Sequence, residues 1–322
     1  MERIVFAEKS VLTDDAMLIL ESFGEIVKCE HPEELRELAR ESTIILSEYT
    51  PVTREIILSA HSLKGIVAVG VGYNHIDVET ANQSGVYVAN AKGANAEAVA
   101  ELTVALMIML CRNVPRAENW IRARKWKTIV GTELPKWMWG NELFGKTLGI
   151  IGLGEIGRRV ARICVQGFGM RALTAGTNHH VARTKLSGIE ETDMGTLFSK
   201  SDVITLHVPL TEETIALVNR ERLALMKSSA VLINTSRGRI VDEEALIEAL
   251  KNQKIAGAAL DVFSREPLPL TSPLFDFENV VLTPHIGGYS EEASTQISNV
   301  VAEEVSLIAR GEKPRNLINT PI

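Results

Sequence analysis

The sequence predicts an α/β protein built of two doubly wound domains, each a parallel sheet with helices on both faces. Three observations carry this. Short apolar, strand-like runs alternate with helix-period segments through the first hundred residues, and a second series of the same kind begins at residue 147. Between the two series, residues 95–124 hold a helical pattern too long for a simple crossover. A chain of 322 residues is long for one domain and comfortable for two.

In the first series, residues 4–7, 25–29, 43–47, 66–70 and 86–90 read as strands, because apolar and β-branched residues dominate each run. Residues 14–21, 32–40, 54–59 and 78–84 read as the helices between them. The stretch 95–124 reads as one long helix. Its most apolar part, residues 102–111, is about half the length that spans a bilayer and follows Glu101, so it is expected to be a core helix. The second series places strands at 147–151, 171–174, 203–207, 230–234, 257–260 and 280–283, with helices at 155–166, 221–226 and 243–251. A last helix, 291–309, is ended by Gly311 and Pro314 and has no strand of its own. The simplest arrangement returns it to the first domain. The expected division is therefore 1–98 plus 287–322, and 99–286. Two crossings, near 95–99 and 286–289, would then border one cleft and act as a hinge that closes it against water.

Composition narrows the functional classes. An apolar fraction of 45% with 23% charged residues is ordinary for a globular protein. A net charge of −7 without any run of Lys or Arg argues against nucleic acid or an acidic membrane as partner. Cys29, Cys111 and Cys164 lie far apart with no CxxC pair, which suits reduced, buried thiols in a cytoplasmic protein. The first residues begin as a strand and lack the shape of a signal peptide.

The first chemical motif is Gly152-Leu-Gly-Glu-Ile-Gly157. It follows the apolar run Lys146-Thr-Leu-Gly-Ile-Ile151 and precedes Arg158-Arg-Val-Ala-Arg-Ile-Cys164, whose apolar positions fall at helical spacing. A lone GxGxxG is a weak signal, but strand, glycine turn and helix in this order form a strong one. Gly152 permits the tight turn, Gly154 lets the backbone approach a pyrophosphate, and Gly157 lets helix and strand pack closely. The helix start then offers N–H groups and a positive dipole end to the phosphates. The chain is expected to bind a dinucleotide.

Three further motifs end or follow strands of the second series. In Leu232-Ile-Asn-Thr-Ser-Arg-Gly238, Arg237 stands just past a buried strand, where ligands of open α/β sheets bind. Its guanidinium can hold a planar carboxylate through two parallel hydrogen bonds. In Gly257-Ala-Ala-Leu-Asp-Val-Phe263, followed by Ser264-Arg-Glu-Pro267, Asp261 and Glu266 flank a sharp exit from the strand. In Leu282-Thr-Pro-His-Ile-Gly-Gly288, His285 can give a proton to a carbonyl oxygen while hydride reaches the carbon, and take it back in reverse. A carboxylate beside such a histidine favours its protonated form and fixes its tautomer, and Glu266 is the expected partner.

These motifs, in this order and at these intervals, resemble the D-isomer-specific 2-hydroxyacid dehydrogenases over essentially the whole chain. Val69-Gly-Val-Gly-Tyr-Asn-His-Ile-Asp77 is similar to that family's substrate loop, and Gly93-Ala-Asn-Ala-Glu-Ala-Val-Ala-Glu-Leu-Thr103 to its hinge helix. The resemblance implies a flavodoxin-like substrate domain, a Rossmann-like dinucleotide-binding domain, a homodimer, and a cleft for NAD(P) and a small 2-oxo acid or 2-hydroxy acid. Carried over by position, Arg237 binds the substrate carboxylate, His285 is the acid/base and Glu266 its partner. The backbone of Val71 and Gly72 helps hold the substrate carboxylate. Asp261 meets the nicotinamide end. Cofactor contacts are implied at Gly152, Gly154, Glu155, Ile156, Gly157, Thr177, Asn178, His207, Val208, Pro209, Thr235, Ser236, Asp261 and Gly287.

The sequence departs from the family pattern at Gly176, which stands where NAD-preferring members carry an aspartate. Two charges about 4 Å apart repel by roughly 4 kcal/mol at an effective dielectric near 20, so losing that aspartate lifts the block against a 2′-phosphate. Thr177, Asn178, His179 and Arg183 offer donors for it, and NADP is expected to be accepted. The alternative is loose binding of NAD through Thr177 and Asn178. Adjacent His179 and His180 have poor metal-ligand spacing, and no metal is expected.

Trp137, Met138 and Trp139 resemble the aromatic loop of glyoxylate and hydroxypyruvate reductases. They either wall a small substrate or bury against a partner subunit. Ala68 stands where phosphoglycerate dehydrogenases carry an arginine, which points to a small unphosphorylated substrate such as glyoxylate or hydroxypyruvate. Residues 95–102 lean instead towards D-3-phosphoglycerate dehydrogenase, which stays as the alternative. Formate dehydrogenase is disfavoured because its members place glutamine where Glu266 stands. A nucleotide-sensing, corepressor-like protein of this fold is the remaining alternative from another class.

Overall fold

The computed structural model describes residues 1–8, 12–127, 135–175 and 188–321. The chain divides into two compact units, Met1–Asn95 with Gly288–Ile322, and Ala96–Gly287. Both are α/β, and every named strand pair is parallel.

The first unit holds strands β1 (Glu2–Phe6), β2 (Gly24–Lys28), β3 (Ile44–Ser47), β4 (Gly65–Ala68) and β5 (Tyr87–Asn90), in the order β2-β1-β3-β4-β5. Its helices are α1 (Asp14–Glu21), α2 (Leu35–Leu38), α3 (Arg54–Ser59) and α4 (Val78–Gln83), joined at the end of the chain by the helix Glu291–Ala309. Alternate residues of each strand face opposite ways, so the two faces bury different sets. Ile4, Phe6, Ile44, Leu46 and Val67 pack with Leu20 of α1 and with Val301, Val305 and Ile308 of the last helix. Val5, Ile45 and Ile66 pack with Leu35, Ile56 and Ala81 of α2 to α4. Beyond the last helix, the segment around Leu317 pairs antiparallel with β5 at Ala89, and Ile318 N–H donates to the Val88 carbonyl at 2.8 Å. It covers a sheet edge that would otherwise present unpaired backbone. The fully buried Glu304 holds this segment, accepting from the N–H groups of Arg315 and Asn316 at 2.9 and 3.1 Å.

The second unit holds β6 (Thr147–Ile151), β7 (Arg171–Ala175), β8 (Ile189–Glu191), β9 (Val203–Leu206), β10 (Val231–Asn234), β11 (Gly257–Leu260) and β12 (Val280–Leu282), in the order β12-β11-β10-β9-β6-β7-β8. Its helices are α5 (Ala96–Cys111), α6 (Val114–Arg122), α7 (Glu155–Arg162), α8 (Met194–Lys200), α9 (Arg220–Leu225) and α10 (Glu243–Lys251), so that Glu291–Ala309 is α11. One face packs Ile204, Leu206, Leu232 and Leu260 on α8, α9 and α10. The other packs Leu148, Ile150 and Ile233 on α5 and α7. The strand order reverses between β6 and β9, so the crevice for a ligand lies outside the carboxyl ends of those strands.

Several elements differ from expectation. Residues 95–124 are not one helix: α5 and α6 meet at a 64° bend. Asn113 takes a left-handed conformation there (φ 53°), and Pro115 can only stand at the start of a new helix. The apolar run of α5 is buried in the core, and no single helix among the described residues is long and apolar enough to cross a membrane. The helix expected at 155–166 is regular only to Arg162 and widens into π-turns through Gly167. That expected at 32–40 is broken by 3₁₀ turns at both ends. β8 and α8 were not expected. β8 has one apolar residue, although Asp193 caps α8 by accepting from Thr196 N–H at 2.9 Å.

Candidate active site

The glycine turn leads from β6 into α7. Gly152 has φ 93°, and a Cβ there would lie 2.5 Å from the His207 carbonyl oxygen and 2.7 Å from Val208 Cγ1. A Cβ at Gly157 would lie 2.1 Å from the Gly152 carbonyl oxygen. Strand, turn, helix and the β9 loop therefore meet only because these positions lack side chains. Gly154 is different: its missing Cβ faces open space, with nothing within 4 Å, and no side chain caps the helix that follows. Glu155 turns its carboxylate into ion pairs with Arg158 and with Arg159 (2.8 Å), leaving its backbone N–H at the turn. The Arg159 hydrogen bond outweighs burial and holds the Glu155 carboxyl below the usual range. Ile156 packs on the core. The turn thus presents backbone donors beneath an unfilled space, as a pyrophosphate requires.

At the end of β9, His207 Nε2 meets Thr205 Oγ1 at 3.0 Å, while its buried Nδ1 has no partner. Burial pushes its imidazole down to about 3, so it is neutral. An orphaned buried ring nitrogen beside the glycine turn suits a bound polar ligand. Ser236 Oγ donates to the Val208 carbonyl, tying the β10 loop to the β9 loop, and the Pro209 carbonyl accepts from Thr214 Oγ1 at 2.7 Å. Thr235 lies 2.8 Å from Thr103 of α5, whose hydroxyl donates to the Val99 carbonyl at 2.7 Å. The Thr235 hydroxyl therefore donates to Thr103, and a ligand meets only its acceptor side or its backbone.

The catalytic candidates lie on three neighbouring strand ends. Arg237 follows β10, and its guanidinium donates to the Ser236 carbonyl at 2.7 Å. Gly238 makes the next loop possible: a Cβ there would fall 1.8 Å from the carbonyl carbon of Phe263. This contact brings the Arg237 loop against the exit of β11, which carries Glu266. Glu266 Oε1 accepts from Phe263 N–H at 3.0 Å, and Oε2 meets His285 Nδ1 at 2.7 Å. Burial raises the Glu266 carboxyl, but hydrogen bonds from His285 and Phe263, and the charges of His285 and Arg237, outweigh it and leave it lowered. An ionised carboxylate only accepts, so Nδ1 carries the proton and Nε2 is left for chemistry.

His285 itself has φ 54°, a left-handed conformation for a residue with a side chain. Asp261, 1% exposed, over-determines it. The Asp261 carbonyl accepts from His285 N–H at 2.8 Å. Its carboxylate accepts from Thr283 Oγ1 at 2.6 Å and from the N–H groups of Ile286 and Gly287 at 2.9 and 2.8 Å. Sequence reasoning gave Asp261 a cofactor contact and missed this hold on the histidine loop. It also missed Thr103 and Glu243, which accepts from Ser264 N–H and Oγ at 3.1 and 2.8 Å. No local pattern marks such distant partners.

Val71 and Gly72 stand in the other unit, in the loop after β4, where the Val71 carbonyl accepts from Asn90 Nδ2 at 2.6 Å. Trp137 is held within the second unit by Asn113, whose amide donates to its carbonyl at 2.7 Å, and by the Arg116 guanidinium 4.2 Å above its ring. Trp139 is 80% exposed. Gly176, Thr177, Asn178, His179 and Arg183 lie outside the described residues.

Comparison with known proteins gives this arrangement a family. Residues 104–287 match the model of the D-isomer specific 2-hydroxyacid dehydrogenase NAD-binding domain. The chain is 38% identical, over its whole length and 98% of the relative's, to glyoxylate reductase of Thermococcus litoralis. It is 41% identical over 96% of its length to D-3-phosphoglycerate dehydrogenase of Methanocaldococcus jannaschii, of which it spans 58%. Among solved structures, an NADPH-dependent glyoxylate/hydroxypyruvate reductase of Sinorhizobium meliloti, bound to NADP and malonate, superposes with a TM-score of 0.82 at 29% identity, covering 98% of this chain and 96% of that one. The chain belongs to the D-isomer-specific 2-hydroxyacid dehydrogenases, NAD-binding oxidoreductases that act on the CH–OH group of 2-hydroxy acids.

Proposed function

We propose that the protein reduces a small, unphosphorylated 2-oxo acid, glyoxylate or hydroxypyruvate, to the D-2-hydroxy acid, or runs the reverse. The observation that carries this is the 2.7 Å contact between Glu266 Oε2 and His285 Nδ1, which leaves Nε2 as a proton donor or acceptor. The glycine turn, with the orphaned His207 nitrogen beside it, would hold the dinucleotide, whose nicotinamide supplies or accepts the hydride. Arg237 binds the substrate carboxylate through its planar fork and draws electron density from the carbonyl. Protonated His285 gives its Nε2 proton to the carbonyl oxygen, and Glu266 stabilises the charged ring before that step. The Val71 and Gly72 backbone adds donors to the substrate carboxylate. The first unit acts as the substrate domain and the second as the dinucleotide-binding domain.

We further propose that NADP is accepted, because no carboxylate follows β7 at Gly176. A homodimer is supported by Ile121, Trp126 and Trp139, exposed on the second unit, and a cytoplasmic location by three free, buried cysteines. The 41% identity to a phosphoglycerate dehydrogenase favours a second reading, oxidation of D-3-phosphoglycerate. Initial rates with glyoxylate, hydroxypyruvate and phosphohydroxypyruvate, each with NADPH and NADH, test both. Fast reduction of the first two supports the main reading, fast reduction of the phosphorylated acid alone replaces it, and no turnover on any of the three overturns both.

A further inference from the structure

We infer that Asn234 is the positioning residue that aims Arg237 at the substrate carboxylate. The inference rests on the reading of Arg237 given above. Asn234 is the last residue of β10 and is 1% exposed. Its side chain does not point out to a ligand but folds over the loop it precedes. Oδ1 accepts from Ser236 N–H at 3.0 Å, and Nδ2 donates to the Arg237 carbonyl at 3.0 Å. One amide therefore grips the backbone at the N–H of Ser236 and at the carbonyl of Arg237, on either side of the Arg237 Cα. Its own carbonyl accepts from Asp261 N–H at 2.9 Å, which ties the clamp to β11.

The chemistry of the clamp demands an amide. A donor and an acceptor are needed on one short, planar group, because it must meet an N–H and a carbonyl of the same loop at once. Aspartate has the right shape but is acceptor-only when ionised, so it would set a carboxylate oxygen against the Arg237 carbonyl. Serine is too short to reach both. Ser236 Oγ, Thr235 and Gly238 restrain the loop elsewhere. The Arg237 carbonyl also accepts from Ile240 N–H at a longer 3.2 Å, so the Asn234 amide is the side chain that ties this carbonyl back to the end of β10. A bidentate fork tolerates little misdirection, so loosening this carbonyl weakens substrate binding more than cofactor binding.

The test compares Asn234→Asp, Asn234→Ser and Arg237→Lys as holoenzymes. It measures the inhibition constant of oxamate, a non-reacting 2-oxo acid analogue, and the dissociation constant of NAD(P)H. Both Asn234 variants are expected to bind oxamate about tenfold or more weakly while cofactor affinity changes less than twofold. In Asn234→Asp the deficit relative to wild type at the same pH shrinks as pH falls, because the protonated carboxyl regains an O–H donor for the Arg237 carbonyl. Unchanged oxamate affinity in both Asn234 variants, with Arg237→Lys impaired, overturns the role of Asn234 alone. Unchanged affinity in Arg237→Lys overturns the reading of Arg237 and this inference with it. Equal loss of oxamate and cofactor binding marks a merely structural residue and also overturns it. If Asn234→Asp does not fold, Asn234→Ser carries the same comparison without the pH arm.

Discussion

Glu266 and His285, 19 residues apart in the chain, meet at 2.7 Å beyond the ends of two neighbouring strands, and Glu266 holds the Phe263 N–H with its other oxygen. The carboxylate is thus fixed at both oxygens, and the ring inherits one orientation from it.

Replacing the ring tests its place in the chemistry. His285→Ala should lower kcat for reduction by about 10²- to 10⁴-fold, the usual loss of a general acid. NAD(P)H affinity, read by fluorescence titration, should change little. A parallel loss of cofactor binding would move His285 out of the acid/base role.

The charge of Glu266 has two separable consequences. Glu266→Gln keeps an acceptor for Nδ1 but removes the carboxylate charge beside the ring that donates the proton, so kcat for reduction should fall about tenfold or more while NAD(P)H affinity holds. An unchanged kcat sinks the pairing as a functional one. For stability, the folded-state carboxyl is lowered. Its contribution is therefore present above the usual carboxylate range and is lost as pH falls through that lowered value. The Tm gap between wild type and Glu266→Gln should close as pH falls below about 4, near and below the ordinary glutamate value.

Gly238 should tolerate no side chain. A methyl group 1.8 Å from the Phe263 carbonyl carbon must push the two loops apart. Gly238→Ala should cost roughly 1–3 kcal/mol, as overpacking does, seen as a lower midpoint in urea. Reductase activity should fall further than stability, because the displaced loops carry Arg237 and Glu266.

Cofactor choice is tested at Gly176→Asp. An added carboxylate should raise the ratio of kcat/KM for NADH over NADPH at least about tenfold, given repulsion of up to roughly 4 kcal/mol against a 2′-phosphate. An unchanged ratio would mean that the ribose is read elsewhere.

Much of this was legible because its physics is local. Gly152, Gly154 and Gly157 announce a turn that only small residues permit, and strands buried on both faces read as short apolar runs. The break after Cys111 was also written in the sequence, at Asn113 and Pro115, but the continuous apolar pattern on either side masked it. What stayed hidden depends on contacts between distant residues. Thr103 and Thr235 are 132 positions apart, and Asp261 reaches Gly287 across 26. Neither side chain differs in type from a hundred ordinary surface threonines or aspartates, and only the fold brings their partners to them. Asn234 was hidden for the opposite reason: its partners are so near that an ordinary loop motif concealed a clamp.

The seat of α11 on the first sheet has a consequence during synthesis. Phe6, Leu20 and Leu46 share a core with Val301 and Val305, yet about 190 residues of the second unit are translated between them. At 5–20 residues per second that delay is roughly 10–40 s. For that interval the continuous second unit can fold on the ribosome, while the nascent N-terminal sheet waits with one apolar face covered by α1 but not by α11. That window is where a chaperone has most to gain by holding this chain.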